Sequence, residues 1–195
     1  MLASLAESGV QRAAVEASSH GLDQERLSGI RASIGVFTSF SRDHLDYHLT
    51  EGAYMAAKMR LFREVLEPGG TAIICADMPV AAQVLDELQG LGLRIWTYGE
   101  AGKEIRLLEA TPDGAGQQLR IRVFEREYEI HLPLPGHFQS LNALAALGIV
   151  LAGGEDAGQA IASVPHLPGV PGRMQLAGTT TADARVYIDY AHTPD

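Results

Sequence analysis

The feature that most constrains this fold is a regular alternation of short apolar segments with helix-like segments over the first hundred residues. Apolar strands are predicted at residues 12–17, 33–38, 71–75 and 93–98, and helices at residues 2–9, 50–66 and 79–89. The longest of these helices begins after Thr50, a good N-cap, and is expected to stop at Pro68. Strands joined by helices run parallel, because each helix returns the chain to the end of the sheet at which the preceding strand began. The sequence therefore predicts a mostly parallel α/β sheet flanked by helices.

The pattern changes after Gly99. Residues 105–110, 118–124 and 127–132 alternate apolar and polar side chains, which predicts a small antiparallel β insertion in a Rossmann-like domain. Helices are predicted at residues 137–151 and 156–164, and a final strand at residues 185–190.

The segment between the last predicted helix and the final strand is rich in breakers. Residues 165–172 contain three prolines and two glycines, which is typical of a domain border. We therefore expect a central domain over residues 1–171 and the beginning of another over residues 172–195. Because only five residues follow the final predicted strand, we expect that second domain to be truncated.

Charge and composition exclude several classes of protein. The formal net charge is −9, whereas nucleic-acid and membrane-surface binders need a basic surface. The lone cysteine, Cys75, lies in an apolar run, so we expect a buried, inert thiol and no disulfide. The longest apolar run, residues 143–152, is too short to span a bilayer, and no leader peptide is evident. We expect a soluble, cytoplasmic monomer without nucleic-acid or membrane partners.

A first polar motif, Glu16-Ala17-Ser18-Ser19-His20, follows the first predicted strand. Ligands of open α/β sheets bind where parallel strands end, and a carboxylate such as Glu16 suits Mg²⁺ at such a place. A loop that merely caps the next helix explains the same residues, so the sequence leaves both interpretations open.

A second motif follows the next strand and combines imidazole with carboxylate side chains. Its members are Asp43, His44, Asp46 and His48, which have the chemistry of metal ligands. An ordinary solvated loop is the alternative. Lys58 comes next, on the same predicted helical face as Tyr54. A lysine in this setting either extends its amine to solvent or is desolvated for a chemical task.

Three further candidates lie in the last third of the chain. Asn142 occurs within the predicted helix that follows Pro135-Gly136. Arg173 lies in the border segment, where a guanidinium could bind a phosphate, and Asp189 ends a strand, where a carboxylate could bind a ribose. Each could also be an ordinary polar surface residue.

The order and spacing of these motifs resemble those of the Mur ligases, the ATP-dependent enzymes that add amino acids to the UDP-N-acetylmuramoyl peptide of the cell wall. The matching stretches are residues 16–26, 38–48, 54–58, 136–146, 172–173 and 189–195, which together span nearly the whole chain. Within the family the resemblance is strongest to the MurE type, which adds a diamino acid: meso-diaminopimelate, lysine or ornithine. It implies the central domain of such a ligase and a part in peptidoglycan synthesis, cell shape and cell division.

The resemblance also implies a role for each candidate residue. Glu16, His44 and Lys58 match ligands of Mg²⁺, and Lys58 matches a lysine that is carbamylated for catalysis. The remaining matches are Ser18, Gln24 and Arg26 at the UDP-muramoyl dipeptide, and Asn142, Arg173 and Asp189 at the adenine, γ-phosphate and ribose of ATP. In the implied reaction, ATP phosphorylates the acceptor's D-glutamate carboxylate and the diamino acid's amine then displaces phosphate.

The sequence departs from the family pattern in two places. No Gly-x-x-Gly-Lys-Thr phosphate loop is present, and Gln139 stands where relatives usually have Asn. We therefore expect an inactive fragment that lacks the phosphate loop, the UDP-binding domain and most of the last domain. A folylpolyglutamate synthetase-like ligase, a metal-dependent hydrolase built on the second motif and a non-catalytic binding module are the alternatives.

Overall fold

The computed structural model describes residues 2–41 and 45–191. Its helices are α1 (Leu2–Glu7), α2 (Ser19–Asp23), α3 (Leu45–His48), α4 (Glu51–Arg60), α5 (Ala81–Leu88), α6 (His137–Ala152) and α7 (Ala157–Ser163). Its strands are β1 (Ala32–Phe37), β2 (Leu66–Cys75), β3 (Arg94–Gly99), β4 (Ile105–Asp113), β5 (Gly116–Val123), β6 (Arg126–Leu132), β7 (Gln175–Thr179) and β8 (Arg185–Ile188). A π-helical turn, Leu61–Val65, and a 3₁₀ turn, Val164–His166, complete the regular structure.

One six-stranded sheet forms the centre of the molecule. Its strands lie in chain order from β1 to β6, with parallel pairing from β1 to β4 and antiparallel pairing from β4 to β6. The two parts join where Tyr98 and Gly99 of β3 pair with Ile105 and Arg106 of β4. The predicted α/β fold with an antiparallel addition is confirmed, and the addition extends the main sheet. Strands β7 and β8 form a separate antiparallel pair.

Helix α6 covers the sheet with a face of small and apolar residues. Leu144 is 2% exposed and packs in the same core as Ile73 and Ile105, which are fully buried. At Gly148, a Cβ atom would lie 3.2 Å from Ile105 Cδ1, so glycine permits the close approach of helix and strand. Each large side chain buried in this way contributes roughly 1.5–3 kcal/mol to folding.

The start of α4 agrees with its sequence signals, and the helical stretch that it begins ends close to the predicted residue. Ala53 N donates a 3.1 Å hydrogen bond to Thr50 Oγ1, so Thr50 is the predicted N-cap. The regular helix ends at Arg60, the π-helical turn follows, and β2 begins at Leu66. The helical stretch thus ends at Val65, one residue before the predicted end at residue 66. Pairing of β2 with β1 skips from Leu66 to Thr71, so the Pro-Gly-Gly segment bulges out between them.

Two other strand predictions differ from the structure. Residues 10–18 have no regular structure, and Val15 is 54% exposed, so the strand predicted at residues 12–17 is wrong. An apolar pattern makes a strand only beside a hydrogen-bonding partner, and no described strand pairs with this segment. Conversely, β7 was not predicted, because its residues are exposed and show no alternation of apolar and polar side chains.

The accessible surface of the chain is larger than expected for a globular protein of its mass. Its accessible area is 11572 Å², whereas a globular monomer of this size exposes about 9,000 Å². Residues 3–16 and all of β7 are exposed and account for part of the excess. Among the described residues, no helix is both long and apolar enough to cross a bilayer.

Candidate functional site

Lys58 lies beside the end of β1, in a largely aromatic setting. Its Nζ atom is 5.3 Å from the centre of the Phe37 ring and 5.2 Å from the centre of the Tyr54 ring. Phe37 is the last residue of β1, and Tyr54 precedes Lys58 by one turn of α4. The side chain is half-buried, so its amine is partly removed from water and stabilised by the faces of two rings.

Further ring contacts extend from Tyr54 and its neighbours and join three segments of the chain. The rings of Phe40 and Tyr54 stack with centroids 4.8 Å apart, and His48 lies 5.3 Å from Tyr54. The His20 ring in turn lies 4.1 Å from that of Tyr47. The structure thus brings together the segment after residue 18, the segment after β1 and the helix of Lys58.

The three residues matched to the acceptor lie on or beside α2. Gly21 N donates to Ser18 Oγ at 3.1 Å, so Ser18 is the helix N-cap, as the second interpretation of this motif suggested. Gln24 Oε1 accepts a 2.6 Å hydrogen bond from Arg26, and both side chains are exposed. Ser18 therefore has a structural role, while Gln24 and Arg26 present polar groups to solvent.

The residues matched to Mg²⁺ are only partly described. Glu16 is exposed within the irregular segment, and His44, like Asp43, lies outside the described residues. His48 is buried, whereas Asp46 is exposed, so these two members of the second motif differ in environment. No three metal-ligating side chains come together in the described part of the chain.

Gln139 connects two of the three residues matched to ATP, and the backbone amide of Met174 connects the third. Asn142 Nδ2 donates to Gln139 Oε1 at 3.3 Å, and Gln139 Nε2 donates to the Arg173 carbonyl at 3.4 Å. The next amide, Met174 N, donates to Asp189 Oδ2 at 2.7 Å. The structure therefore gathers residues from α6, the border segment and the end of β8, which are far apart in the sequence.

Gln117, which the sequence analysis missed, fixes the entry into α6. Its Nε2 atom donates to the carbonyls of Leu134 and Gly136 at 2.8 and 2.9 Å, and its Oε1 atom accepts from Ser140 Oγ at 3.1 Å. A signal was present, because position 117 falls on the buried phase of β5, where Leu119 is apolar. A groove of about 400 Å³ adjoins this entry.

Asp77 anchors the loop after β3. Its carboxylate accepts 2.8 Å hydrogen bonds from the amides of Glu100 and Ala101. Gly99 has φ +118°, and a Cβ there would lie 2.2 Å from Asp77 Oδ2. Glu100 Oε1 lies 3.7 Å from His137 Nε2, so this loop also contacts the first residue of α6.

The thiol of Cys75 is buried, as predicted from its apolar surroundings. Burial raises its pKa above the ordinary value, and burial also raises the pKa of the neighbouring Tyr98 phenol, with a further contribution from Cys75. Both groups stay protonated at neutral pH, so neither is an activated nucleophile.

Comparison with known proteins identifies the family to which this chain is similar. The family model of the Mur ligase middle domain matches residues 1–150. The chain is 46% identical over 195 residues to UDP-N-acetylmuramoyl-L-alanyl-D-glutamate–2,6-diaminopimelate ligase of Bradyrhizobium diazoefficiens, and the match covers 98% of this chain and 40% of that protein.

Solved structures agree with this match. The structure of a UDP-N-acetylmuramoyl-L-alanyl-D-glutamate–2,6-diaminopimelate ligase superposes with a TM-score of 0.84 at 35% identity, covering 99% of this chain and 39% of that one. MurF ligase from Thermotoga maritima in complex with ADP gives 0.66 at 19% identity, over 75% of this chain and 33% of that one, a likeness of fold alone.

The match to the family model covers most of the chain, and the relatives match it from end to end. This favours the ligase hypothesis over the hydrolase and over a non-catalytic module. The chain spans about 40% of the length of the relatives it matches. It belongs to the Mur ligase middle-domain family.

Proposed function

We propose that this chain is part of an ATP-dependent ligase that joins 2,6-diaminopimelate to UDP-N-acetylmuramoyl-L-alanyl-D-glutamate during peptidoglycan synthesis in the cytoplasm. The observation that carries the proposal is the similarity of the whole chain to ligases with this name. Because these relatives are 2,6-diaminopimelate ligases, we favour 2,6-diaminopimelate over lysine or ornithine as the amino acid added.

Lys58 is the proposed catalytic residue, acting as a carbamate. A free lysine amine has a pKa of about 10.4 and must lose its proton before its nitrogen can bond to the carbon of CO₂. The ring faces of Phe37 and Tyr54 attract the ammonium form, so the carbamate must gain its stability from the cation that it binds. Carbamylation exchanges a cation for an anion, so the net charge of −9 would become two units more negative.

The proposed metal site uses that carbamate. Carboxylate and carbamate oxygens are the hard ligands that Mg²⁺ prefers, so the chemistry of Glu16 and carbamylated Lys58 fits this ion, with His44 as a further ligand. When bound, Mg²⁺ neutralises the charge of phosphate oxygens. An unmodified Lys58 would repel the ion, which makes the modification a requirement of the site.

The acceptor is proposed to lie against α2. Arg26 offers a guanidinium suited to a carboxylate or phosphate group, and Gln24 holds that guanidinium from one side. Ser18 is proposed to reach the acceptor from the N-cap position. These groups orient the D-glutamate carboxylate and supply positive charge against the charge that develops on it.

ATP is proposed to lie along the cluster that Gln139 connects. Asn142 is assigned to the adenine, Arg173 to the γ-phosphate and Asp189 to the ribose. Each carboxylate oxygen of Asp189 accepts one backbone amide, from Met174 or Ala191, and retains a lone pair for a ribose hydroxyl. The Arg173 hydrogen bond to Gln139 uses only the backbone carbonyl, so its guanidinium can extend toward a phosphate.

The reaction consists of two transfers. The γ-phosphoryl group passes from ATP to the D-glutamate carboxylate, which gives an acyl phosphate and ADP. An amine of diaminopimelate then attacks the acyl carbon, loses a proton and displaces phosphate, which leaves the amide. The residues of this chain position the two substrates and balance their charge.

Binding of the acceptor tests this proposal directly. Isothermal titration of the 195-residue chain with UDP-N-acetylmuramoyl-L-alanyl-D-glutamate should show binding that Arg26→Ala weakens about tenfold or more. Arg94→Ala is the matched control, because Arg94 is an exposed arginine at the start of β3 and has no proposed role in acceptor binding. A folded chain that does not bind, or equal binding by both variants, would contradict the assignment.

A second measurement addresses Lys58. Isotope-labelled bicarbonate should give a carbamate resonance in the NMR spectrum of the chain that Lys58→Arg abolishes. Lys103→Arg is the control, because Lys103 is exposed and lies in the loop after β3. A carbamate signal that survives Lys58→Arg would place the modification elsewhere.

A further inference from the structure

The turn formed by residues 23–26, called here the acceptor turn, carries two of the proposed acceptor-binding residues. Its middle residue, Glu25, has φ +57°, a left-handed conformation that non-glycine residues seldom adopt. Such a conformation persists where surrounding contacts hold it. The contacts that hold this turn therefore decide where Gln24 and Arg26 point.

One set of contacts comes from Tyr47. Its hydroxyl donates to Asp23 Oδ2 at 2.8 Å and accepts from Gln24 Nε2 at 3.3 Å. With its Nε2 directed at Tyr47, Gln24 turns its Oε1 toward Arg26, which donates to it at 2.6 Å. A continuous relay thus runs from Asp23 through Tyr47 and Gln24 to the guanidinium of Arg26.

A second set of contacts comes from the helix of Lys58. Arg60, two residues beyond Lys58 in α4, donates to the Asp23 carbonyl at 3.1 Å and to Glu25 Oε1 at 3.4 Å. Arg60 thus holds the backbone of the turn in place. It makes no contact with Gln24 or Arg26 among the described hydrogen bonds, so the direction of those side chains depends on Tyr47.

We propose that Tyr47 is a positioning residue for the acceptor, acting through Gln24 on the guanidinium of Arg26. Tyr47 comes three residues after His44, so it also ties the acceptor turn to the segment that contains a proposed metal ligand. This inference rests on the proposed function, because it assumes that Arg26 binds the acceptor.

The surroundings of Tyr47 allow its hydrogen bonds to be removed without loss of packing, so a positioning role can be told apart from a role in stability. The residue is 37% exposed, and its ring packs on His20, a contact that phenylalanine preserves. Tyr47→Phe therefore removes both hydrogen bonds of the hydroxyl and leaves the packing. We expect it to weaken acceptor binding roughly tenfold, as for loss of one or two polar hydrogen bonds, with little change in melting temperature.

The test compares Tyr47→Phe with Tyr128→Phe in the 195-residue chain. Tyr128 lies on β6 and loses the same hydroxyl at a distance from the acceptor turn. Calorimetry with UDP-N-acetylmuramoyl-L-alanyl-D-glutamate should show the weaker binding for Tyr47→Phe alone. Once Gln24→Leu has broken the relay, Tyr47→Phe should cause no further loss.

A measurement without the acceptor tests the contact between Tyr47 and Gln24 independently of acceptor binding. The side-chain amide resonances of Gln24 should move in Tyr47→Phe and stay unchanged in Tyr128→Phe. Unchanged resonances, wild-type affinity in Tyr47→Phe, or additive losses with Gln24→Leu would each overturn the positioning role. If the wild-type chain does not bind the acceptor at all, the proposed function itself fails, and the positioning role fails with it.

Discussion

Replacing Gly99, the last residue of β3, by alanine should destabilise the chain far more than most single substitutions at the end of a strand. Gly99 has φ +118°, which lies outside the left-handed region that other residues occasionally occupy. A Cβ at this position would lie 2.2 Å from Asp77 Oδ2 and 2.7 Å from Asp77 Cγ, well inside van der Waals contact. The Asp77 carboxylate must therefore move away.

The magnitude follows from two contributions. Backbone strain at such a φ costs about 1–3 kcal/mol. Displacement of Asp77 breaks its hydrogen bonds to the amides of Glu100 and Ala101. Bonds to a charged acceptor are worth about 1.5–3 kcal/mol each when buried, and these are exposed, so about 1 kcal/mol each is a reasonable value. We expect Gly99→Ala to lower the free energy of unfolding by about 3–5 kcal/mol.

Urea denaturation followed by circular dichroism measures this loss. Gly114→Ala is the matched control, because Gly114 has φ +60° with nothing within 4 Å of a new Cβ, and its replacement should cost only about 1 kcal/mol. In an Asp77→Ala background the clash disappears, and Gly99→Ala should cost only the strain. The reasoning is refuted if Gly99→Ala costs no more than Gly114→Ala, or if its cost is the same with and without Asp77.

Three further predictions concern buried titratable groups and a helix end. Because the pKa values of Cys75 and Tyr98 are raised in the folded state, the stability they contribute is complete below their unfolded values of about 9 and 10. This contribution to stability falls as the pH rises beyond these values, by up to about 1.4 kcal/mol per pH unit for each group. Tyr98→Phe removes one of the two groups, so urea titrations at alkaline pH should show a smaller loss of stability. The thiol of Cys75 should react with an alkylating reagent far more slowly in the native chain than in urea, and equal rates would mean that it is accessible. Thr50→Ala should cost about 1 kcal/mol in urea denaturation and Thr50→Ser almost nothing, since serine keeps the capping oxygen; an equal loss from both would rule out the cap.

The fold was predictable where the signal is local. The alternation of strands and helices from β1 to Gly99, the antiparallel strands β4 to β6 and the N-cap at Thr50 all follow from residues close together in the sequence. The prediction of a strand at residues 12–17 was wrong, because strand formation depends on a neighbouring strand that no local pattern specifies. The assignment of residues 1–171 and 172–195 to two domains stays a prediction.

The candidate site was predictable as a set of residues but not as a set of contacts. Family motifs pointed to Gln24, Arg26 and Lys58, and their assigned roles stay predictions. The relay through Tyr47 and the aromatic setting of Lys58 depend on the approach of segments more than twenty residues apart, which sequence spacing does not fix. Gln117 could have been found, because a polar residue on the buried phase of a strand needs hydrogen-bonding partners.

The outer edge of β1 has a consequence for handling the protein in solution. Within the described residues β1 is hydrogen-bonded to β2 alone, and its sequence, Ala-Ser-Ile-Gly-Val-Phe, contains no charge or proline. An edge of this kind is a template for strands of other molecules. We expect light scattering to rise steeply with protein concentration and to fall in Ser33→Lys, which places a charge at an exposed position of this strand. One uncharged strand of six residues would then set the highest concentration at which the chain remains dispersed.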